Sequence, residues 1–339
     1  MNDPLSAAKR VARETVRGLW IAIATPFTAD GRHVDEETLE RAVEHYVNGL
    51  RVDGIFCGGV MGEFWALTLD ERKRVHAVVH RQAAGRVPVM VQVGHHSLQD
   101  TIALCRHATD QGIGFGVAMN PYFPPELPDE LVLAYYTALD TATDLPMFLF
   151  NTPYSGTALS VDLIARLADL EIVCGIKNPR PRAHLLELQQ RVGDRIVVTD
   201  AAEGEWLELH TAYGMQALMS TPALALYQHP GDLPVHEYTR LADAGELAAA
   251  REVSDSLAPA RAAFKRWMRD PWTEQRVIPI AHLKSWLEAI GLPHGPVRPP
   301  LLPLTREQSA ALQRDVERLR SATVVLDRAG SSGVRAADS

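Results

Sequence analysis

The chain is poor in cysteine and has no long apolar run. Cys57, Cys105 and Cys174 are its three cysteines. Neither a CxxC pair nor a Cys/His spacing typical of zinc sites occurs, so we expect free thiols, a reducing cytoplasm and no bound metal. No apolar stretch approaches the ~18 residues that a membrane-spanning helix needs. Residues 1–17 carry several charged side chains and lack the apolar core of a signal peptide.

Basic residues are fewer than acidic ones, with 34 Lys and Arg against 42 Asp and Glu and a formal net charge of −8. No basic cluster is present, so we expect neither nucleic acid nor an anionic membrane as a partner. The sequence also lacks a Walker pattern and a GxGxxG turn, so we expect no phosphate site and no cofactor. What remains is a globular protein that acts on a small molecule.

Eight short apolar runs alternate with amphipathic helical patterns. The runs lack the polar–apolar alternation of half-buried strands, which is typical of parallel strands covered on both faces. Their spacing of roughly 25–30 residues fits a (β/α)8 TIM barrel. A doubly wound open sheet gives a similar alternation, but the number of runs and the missing GxGxxG turn favour the barrel. The runs are 19–25, 54–57, 87–93, 114–119, 146–150, 172–177, 195–199 and 217–220.

The strand pattern stops near Leu233, and helical periodicity with frequent proline follows. We expect helices over 235–253, 256–269, 277–290 and 305–323 that pack on the barrel as an appendage. The expected organisation is a polar N-terminal arm (1–17), the barrel (18–232), a C-terminal helical region (233–324) and a disordered tail of small and polar residues (325–339).

One predicted strand ends in a lysine, and active sites of such barrels lie at the carboxyl ends of the strands. Lys177 closes the apolar run 172–177, so we expect its side chain in the barrel mouth. Burial there lowers the pKa of an amine and makes it a nucleophile toward a carbonyl carbon. A strand-end lysine that extends into solvent is the alternative.

Two other strand ends carry candidate groups. The loop Gly58–Gly62 has three glycines in five positions, and its backbone N–H groups suit a carboxylate. A plain strand-to-helix turn has the same composition. His95 and His96 follow the third run, and either is a candidate general base near neutral pH. A metal site is the weaker interpretation of this pair, because no carboxylate partner is close in sequence.

Several motifs, in this order and spacing, resemble the dihydrodipicolinate synthase and N-acetylneuraminate lyase family. The resemblance runs from about Gly18 to Leu319. It implies a (β/α)8 barrel with a C-terminal helical region, often assembled as a tetramer, and Lys177 as a Schiff-base lysine. The motifs are Ala24-Thr25-Pro26-Phe27, Gly59-x-x-Gly62-Glu63, Asn120-Pro121-Tyr122, Asn151-x-Pro153, Gly175-Ile176-Lys177 and Gly295-Pro296-Val297-Arg298-Pro299-Pro300.

Several positions depart from the family pattern. Family members usually carry two threonines in the glycine loop, where this chain has Val60 and Met61. Their relay tyrosine before Asn-x-Pro is Phe150 here, and the tyrosine of the synthase after the fourth run is Phe123. The synthase also has an arginine just after Asn-x-Pro, which is missing after Pro153. These departures argue against a role in lysine biosynthesis.

The resemblance therefore implies a lyase (an aldolase, hydratase-aldolase or dehydratase) that joins Lys177 to a 2-oxo acid. We expect the substrate carboxylate on the turn formed by Gly59, Val60 and Met61. The proton that a relay tyrosine would carry is left to Tyr154, His95, His96, a water molecule or the substrate. An apolar pocket, which favours an alkyl or aromatic substrate, is expected from Val60, Met61, Phe123, Phe150 and Met219.

Two other functions fit the same residues. A member of the fold that has lost catalysis would keep a ligand-binding or regulatory role, and the missing hydroxyls agree with that. A barrel enzyme with a mechanism independent of Lys177 is the other. In either case the resemblance implies a homotetramer or homodimer.

Overall fold

The computed structural model describes residues 5–121, 126–154, 157–220 and 222–332. Its centre is one sheet of eight short parallel strands, which are β1 (Gly18–Ala22), β2 (Gly54–Cys57), β3 (Val89–Gln92), β4 (Phe115–Ala118), β5 (Met147–Phe150), β6 (Val173–Lys177), β7 (Val197–Thr199) and β8 (Ala217–Ser220). They pair in the order β7-β6-β5-β4-β3-β2-β1-β8.

The two outer strands of this order meet each other. Asp200 and Leu218 form a parallel bridge, and the Met219 N–H donates to the Asp200 carbonyl at 2.9 Å. The sheet thereby closes into a barrel, so the predicted (β/α)8 fold is confirmed and the open sheet is excluded. Every residue of β2 to β8 is buried, as expected for strands with side chains on one face and helices on the other.

The N-terminal segment, which we expected to be a polar arm, contains the helix α1 (Ala7–Thr15). Ser6 caps it, and Ala12 together with Val16, one turn further on, is fully buried. The Ser6 hydroxyl donates to the Glu171 carbonyl, and the Gln216 amide donates to the Val16 carbonyl. Both partners lie just before barrel strands, so α1 packs at the amino-terminal ends of β6 and β8.

Seven helices separate the strands, at the positions that the helical periodicity predicts. They are α2 (Glu36–Glu44), α3 (Leu69–Ala83), α4 (Leu98–Asp110), α5 (Asp129–Ala142), α6 (Val161–Leu167), α7 (Arg182–Val192) and α8 (Glu203–Tyr213). A π-helical turn, His45–Gly49, extends α2. The start of α3 is fixed by a capping box, in which Thr68 and Glu71 each bond the backbone N–H of the other.

The C-terminal region is helical and packs on the barrel. Its helices are α9 (Ala223–Tyr227), α10 (Pro234–Asp243), α11 (Leu247–Ser256), α12 (Ala258–Phe264), α13 (Asp270–Gln275), α14 (Ile280–Ala289) and α15 (Arg306–Ser332). A π-helical turn, Lys265–Arg269, joins α12 to α13. The last helix extends into the segment 325–339 that we expected to be disordered. Within the described chain, no helix combines the length and the hydropathy of a bilayer span.

The single helix predicted over 235–253 is wrong, because the chain breaks it into α10 and α11. Gly245 has a φ of +80°, a backbone conformation that glycine adopts without a steric penalty. The Glu246 N–H donates back to the Leu241 carbonyl and closes the turn. One glycine therefore converts a continuous apolar periodicity into a helical hairpin.

Candidate active site

Lys177 is the last residue of β6, and its amine lies inside the mouth of the barrel. At this level β6 pairs with Phe150 of β5 and with Thr199 of β7. The Nζ atom lies 5.2 Å from the centre of the Phe56 ring and 5.5 Å from the centre of the Phe150 ring. Lys177 is 1% exposed, so the side chain points into the barrel and not into bulk solvent.

The surroundings of Lys177 favour its neutral form. Burial lowers the pKa of the amine to about 7, and the charge of Asp200 opposes this shift only in part. Because a neutral amine is the nucleophilic form, a large fraction of Lys177 is ready to attack a carbonyl carbon at neutral pH.

The glycine-rich loop after β2 forms a tight turn beside this amine. Val60–Gly62 make one 3-10 turn, in which the Gly62 N–H donates to the Gly59 carbonyl at 3.0 Å. The first N–H groups of such a turn have no acceptor within it. Those groups belong to Val60 and Met61, and both residues line the same cavity as Lys177. The Thr25 hydroxyl stabilises the turn by donating a hydrogen bond to the Gly62 carbonyl at 2.8 Å.

The end of this loop is held by the C-terminal region. Glu63 is fully buried with a φ of +54°, which is costly for a residue other than glycine. Its carboxylate lies 2.7 Å from the Lys284 ammonium of α14 and accepts the Arg298 N–H at 3.0 Å. The Arg298 guanidinium binds Glu71 at the start of α3 with two further hydrogen bonds. The turn geometry therefore depends on residues more than 200 positions later in the chain.

Lys177 opens onto a cavity of about 520 Å³ at the carboxyl ends of the strands. The buried part of the wall combines apolar side chains with the polar residues Thr152, Asp200 and Glu203, whereas the wall nearer the surface carries further charged side chains. The C-terminal helices supply much of that outer wall. The inner residues are Ala22, Phe56, Val60, Met61 and Phe150, and outer residues include Arg180, Arg182, Glu205, Tyr227, Arg261, Phe264, Lys265, Met268, Arg269 and Trp272.

Asp200 brings a carboxylate into the same cavity. It directly follows Thr199, the β7 partner of Lys177, and it is 6% exposed. Its Oδ2 atom accepts the Ala202 N–H at 3.1 Å. Burial raises the pKa of Asp200, while the backbone N–H groups of Ala201 and Ala202 and the charge of Lys177 lower it. Asp200 is thus a carboxylate in an apolar setting next to the candidate nucleophile.

Arg180 brings a cation to the cavity wall. Its Nε atom donates to the Asn151 side-chain oxygen at 3.1 Å, and its Nη2 atom donates to the Thr152 carbonyl at 3.2 Å. Burial lowers the pKa of the guanidinium, and none of the described residues forms a salt bridge with it. A half-buried arginine fixed by neutral acceptors is suited to an anionic or strongly polar group of a ligand.

Tyr154, a candidate proton carrier, lies in the cavity wall. Its ring meets the ring of Trp272 edge-on, with 4.5 Å between ring centres. Burial raises the pKa of the phenol to about 12, so the hydroxyl remains protonated at neutral pH. Tyr154 can donate a hydrogen bond to a ligand, but it is a weak acceptor for a proton.

The structure does not bring every predicted site residue to Lys177. Gly59 begins the turn, and a side chain there would meet the Phe56 ring at 2.8 Å, so its role is packing. Met219 lies in β8 with its side chain fully buried in the core. Neither residue is among those that line the cavity. Phe123 lies outside the described residues.

His95 also stands apart from the cavity. Its ring stacks on that of His96 with 4.1 Å between centres, and its Nδ1 atom accepts the Ser97 N–H at 3.1 Å. The side chain is thereby turned toward the start of α4, where Asp100 lies 3.3 Å away. Because His95 folds back on its own loop, the expectation that it acts as a base beside Lys177 finds no support in the geometry.

Phe56, Asp200 and Arg180 were not predicted as functional residues. Asp200 follows the seventh apolar run, so its position at a strand end was visible in the sequence, but its direction was not. Arg180 lies three residues after Lys177 in the run Asn178-Pro179-Arg180-Pro181. The two prolines of this short loop were the only local indication that an arginine there would be held in place.

The fold and the buried amine define a barrel protein that can form a Schiff base with a carbonyl compound. Comparison with protein families agrees, because residues 15–319 match the dihydrodipicolinate synthetase family. The chain belongs to this family, and the resemblance in its motifs is confirmed.

Similar proteins are named after the synthase of this family. The 4-hydroxy-tetrahydrodipicolinate synthase of Thermomicrobium roseum is 33% identical over 292 residues, which cover 85% of this chain and 90% of that protein. The synthase of Thermus thermophilus is 31% identical over 305 residues, covering 89% and 96%.

Solved structures show the same architecture. The chloride-inhibited dihydrodipicolinate synthase of Acinetobacter baumannii, complexed with pyruvate, has a TM-score of 0.77 at 25% identity, and the match covers 90% of this chain and 99% of that one. A prophage protein of the dihydrodipicolinic acid synthase family from E. coli K12, in complex with pyruvate, has a TM-score of 0.78 at 23% identity and covers 90% and 98%. The second likeness concerns the fold alone.

Proposed function

We propose that the protein is a lyase that joins Lys177 to the keto carbon of a 2-oxo acid and breaks a carbon–carbon or carbon–oxygen bond in the adduct. The observation that carries this proposal is the Lys177 amine, which lies at the barrel mouth between two aromatic rings with a pKa of about 7. Family membership supports lyase chemistry in general.

We propose that the turn after β2 binds the substrate carboxylate. The backbone N–H groups of Val60 and Met61 begin a 3-10 turn beside Lys177, and such groups stabilise a negative charge. The Val60 and Met61 side chains contribute apolar surface and no hydroxyl. The carboxylate is therefore held by the backbone, and the C3 end of the substrate meets Phe150 and Phe56.

The iminium then supplies the chemistry. The neutral Lys177 amine adds to the keto carbon, its two protons leave with the keto oxygen as water, and uptake of one proton by the imine nitrogen gives an iminium that withdraws electrons from C3. In an aldol cleavage the C4 hydroxyl loses its proton, C4 departs as a carbonyl compound, and the C3–C4 electron pair remains on C3 as an enamine, which protonation of C3 returns to the iminium. In a dehydration, removal of a C3 proton gives an enamine that expels the C4 hydroxyl, which takes up a proton and leaves as water.

Arg180 in the cavity wall indicates which class of substrate the site would bind. Arg180 has two neutral acceptors and no carboxylate partner among the described residues, and it lines the same cavity as Lys177. We therefore propose a substrate with an apolar middle and a polar or anionic far end.

Borohydride trapping tests the Schiff base. With pyruvate and a panel of alkyl, aromatic and sugar-derived 2-oxo acids, reduction is expected to add the acid to Lys177 and to none of the other four lysines, Lys9, Lys73, Lys265 and Lys284. Lys177→Ala removes the amine, and Lys177→Arg keeps a positive charge that cannot attack a carbonyl. Both variants are expected to lose trapping and turnover. A folded wild-type protein that traps nothing across the panel would favour the non-catalytic alternative.

The synthase reaction is the second candidate, because the similar proteins are named after it and Arg180 offers a cation for a second carboxylate. We propose that condensation of pyruvate with aspartate semialdehyde is not the main activity, since Val60, Met61 and Phe150 carry no relay hydroxyl. Losing a positioned acid–base group lowers a rate by about 10²–10⁴-fold. A coupled assay that shows turnover at the level of the synthases would make this candidate the function.

A further inference from the structure

We propose that Asp200 is the catalytic acid–base group that moves the proton at C3 of the substrate. The proposal rests on the Schiff-base function proposed above, in which the group that moves the C3 proton is not assigned. Phe150 occupies the strand end beside Lys177 and has no hydroxyl, and Thr152 and Tyr154, which follow it in the cavity wall, carry neutral hydroxyl groups that accept a proton from carbon less readily than a carboxylate does. Asp200 follows the strand on the opposite side, β7, and lines the same cavity.

Other carboxylates in the cavity wall are already engaged. Glu203 accepts hydrogen bonds from the Arg261 guanidinium at 2.8 and 2.9 Å and from the Tyr238 hydroxyl at 2.8 Å. Glu205 forms a salt bridge of 3.4 Å with Arg182. Asp200 has no salt bridge shorter than 4.0 Å to a described cation, and its carboxylate accepts hydrogen bonds from backbone N–H groups. Of the three, it is the carboxylate available to a substrate.

The surroundings of Asp200 also favour its role as a base, because they raise the pKa of its carboxyl. Burial and the charge of Glu205 raise the pKa of the Asp200 carboxyl. The backbone N–H groups of Ala201 and Ala202 and the charge of Lys177 lower it and so limit the rise. A carboxylate that is more basic than in water accepts a proton more readily from carbon. Burial raises the pKa of Tyr154 to about 12, so its hydroxyl stays protonated at neutral pH and does not take the proton from C3.

The proposed step conserves atoms and electrons. The Asp200 carboxylate takes a proton from C3 of the Lys177 iminium. The electron pair of the C–H bond becomes the C2–C3 double bond, and the electron pair of the C=N bond moves to nitrogen, which gives a neutral enamine and a protonated Asp200. In the reverse step the carboxyl group returns the proton to C3. No oxidant, metal or second reactant takes part.

Hydrogen–deuterium exchange at C3 tests the step without any knowledge of the natural substrate. The wild-type protein in D₂O is expected to exchange the methyl protons of pyruvate or the C3 protons of 2-oxobutyrate, as followed by proton NMR. Asp200→Asn is expected to slow this exchange by about 10²–10⁴-fold while borohydride still traps the acid on Lys177. Asp162→Asn, a matched change at an exposed position of α6, is expected to exchange at the wild-type rate.

The outcomes separate this proposal from the Schiff base itself. Wild-type protein that traps no 2-oxo acid contradicts the proposed function. Trapping without exchange in the wild type, or exchange that survives Asp200→Asn, contradicts the role of Asp200 and leaves the Schiff base standing. If Asp200→Asn fails to fold by circular dichroism, Asp200→Glu decides. It keeps the carboxylate and should retain exchange with an altered pH profile, and an unchanged profile would overturn the proposal.

Discussion

At the scale of single residues, Lys177 obtains its low pKa from apolar surroundings and not from a neighbouring cation. Burial is the main cause of the shift, and Asp200, a negative group, acts in the opposite direction. The rings of Phe56 and Phe150 exclude water on two sides of the amine. A phenylalanine at position 150 therefore removes a relay hydroxyl and at the same time helps to keep the nucleophile neutral.

We predict that Lys177 titrates near neutral pH. Labelling of Lys177 by a small acylating reagent, followed by peptide mass spectrometry, is expected to rise with pH around a midpoint near 7. The sign follows from the neutral amine being the reactive form, so reactivity is lost below this midpoint. Asp200→Asn is expected to lower the midpoint, because the carboxylate raises the pKa of Lys177. A midpoint near 10 in the wild type would contradict the buried environment.

A second prediction concerns Arg180 and the far end of the substrate. Arg180→Gln is expected to raise the half-saturating concentration of 2-oxoglutarate in borohydride trapping by about 10–100-fold, as for the loss of one charged hydrogen bond of about 1.5–3 kcal/mol. 2-Oxohexanoate, which has a tail of similar length without charge, serves as the matched ligand and should be little affected. Equal losses for the two acids would show that Arg180 supports the loop and not the ligand.

At the scale of structural elements, the glycine loop depends on the C-terminal helices. Glu63 ends the 3-10 turn in a left-handed conformation, and the buried ammonium of Lys284 neutralises its carboxylate at 2.7 Å. Desolvation lowers the pKa of Lys284 to about 8, and Glu63 opposes this shift. The pair thus joins α14 to the loop that is proposed to hold the substrate carboxylate.

Removing one member of this pair should destabilise the protein. Glu63→Gln leaves the Lys284 charge buried without a counterion, and breaking a buried pair in this way costs about 3–5 kcal/mol. The free energy of unfolding from urea denaturation at pH 7 measures the loss. Glu37→Gln removes the partner of Arg41 in an exposed pair on α2 and should leave the urea midpoint unchanged. Equal midpoints for the two variants would show that the buried pair does not hold the loop.

At the scale of the whole molecule, the barrel and the C-terminal region build the cavity together. Strand ends supply Lys177, Phe150 and Asp200, whereas Trp272 and Arg269 come from the helical region after β8. The C-terminal region is therefore part of the candidate site as well as of the packing. A truncation that ends after β8 would remove much of the outer wall of the cavity.

Self-association is the prediction that belongs to this scale. The family resemblance implies a homotetramer or homodimer, so sedimentation at micromolar concentration is expected to show a species of two or four chains of 37.3 kDa. A single species of one chain at this concentration would contradict the prediction.

The barrel and the position of the candidate nucleophile were predictable from the sequence. Buried parallel strands must be apolar throughout and their helices must be amphipathic, so the period of the pattern reveals the eight repeats. Lys177 was visible for the same reason, since a charged residue that closes an apolar run has to lie at the strand end. The expectation that Phe150 lies beside Lys177 came instead from the family resemblance, because a strand that is apolar on both faces does not show which side chains point inward.

Which strand-end side chains share the cavity was not predictable from the sequence. His95 and Asp200 both follow apolar runs, yet His95 turns back on its own loop and Asp200 lines the cavity with Lys177. The C-terminal wall and the Glu63–Lys284 pair join residues that are far apart in the chain. The local pattern of apolar residues indicates which face of a strand or helix is buried. The direction of a loop side chain depends on hydrogen bonds and packing with distant residues, and these exist only once the barrel has closed.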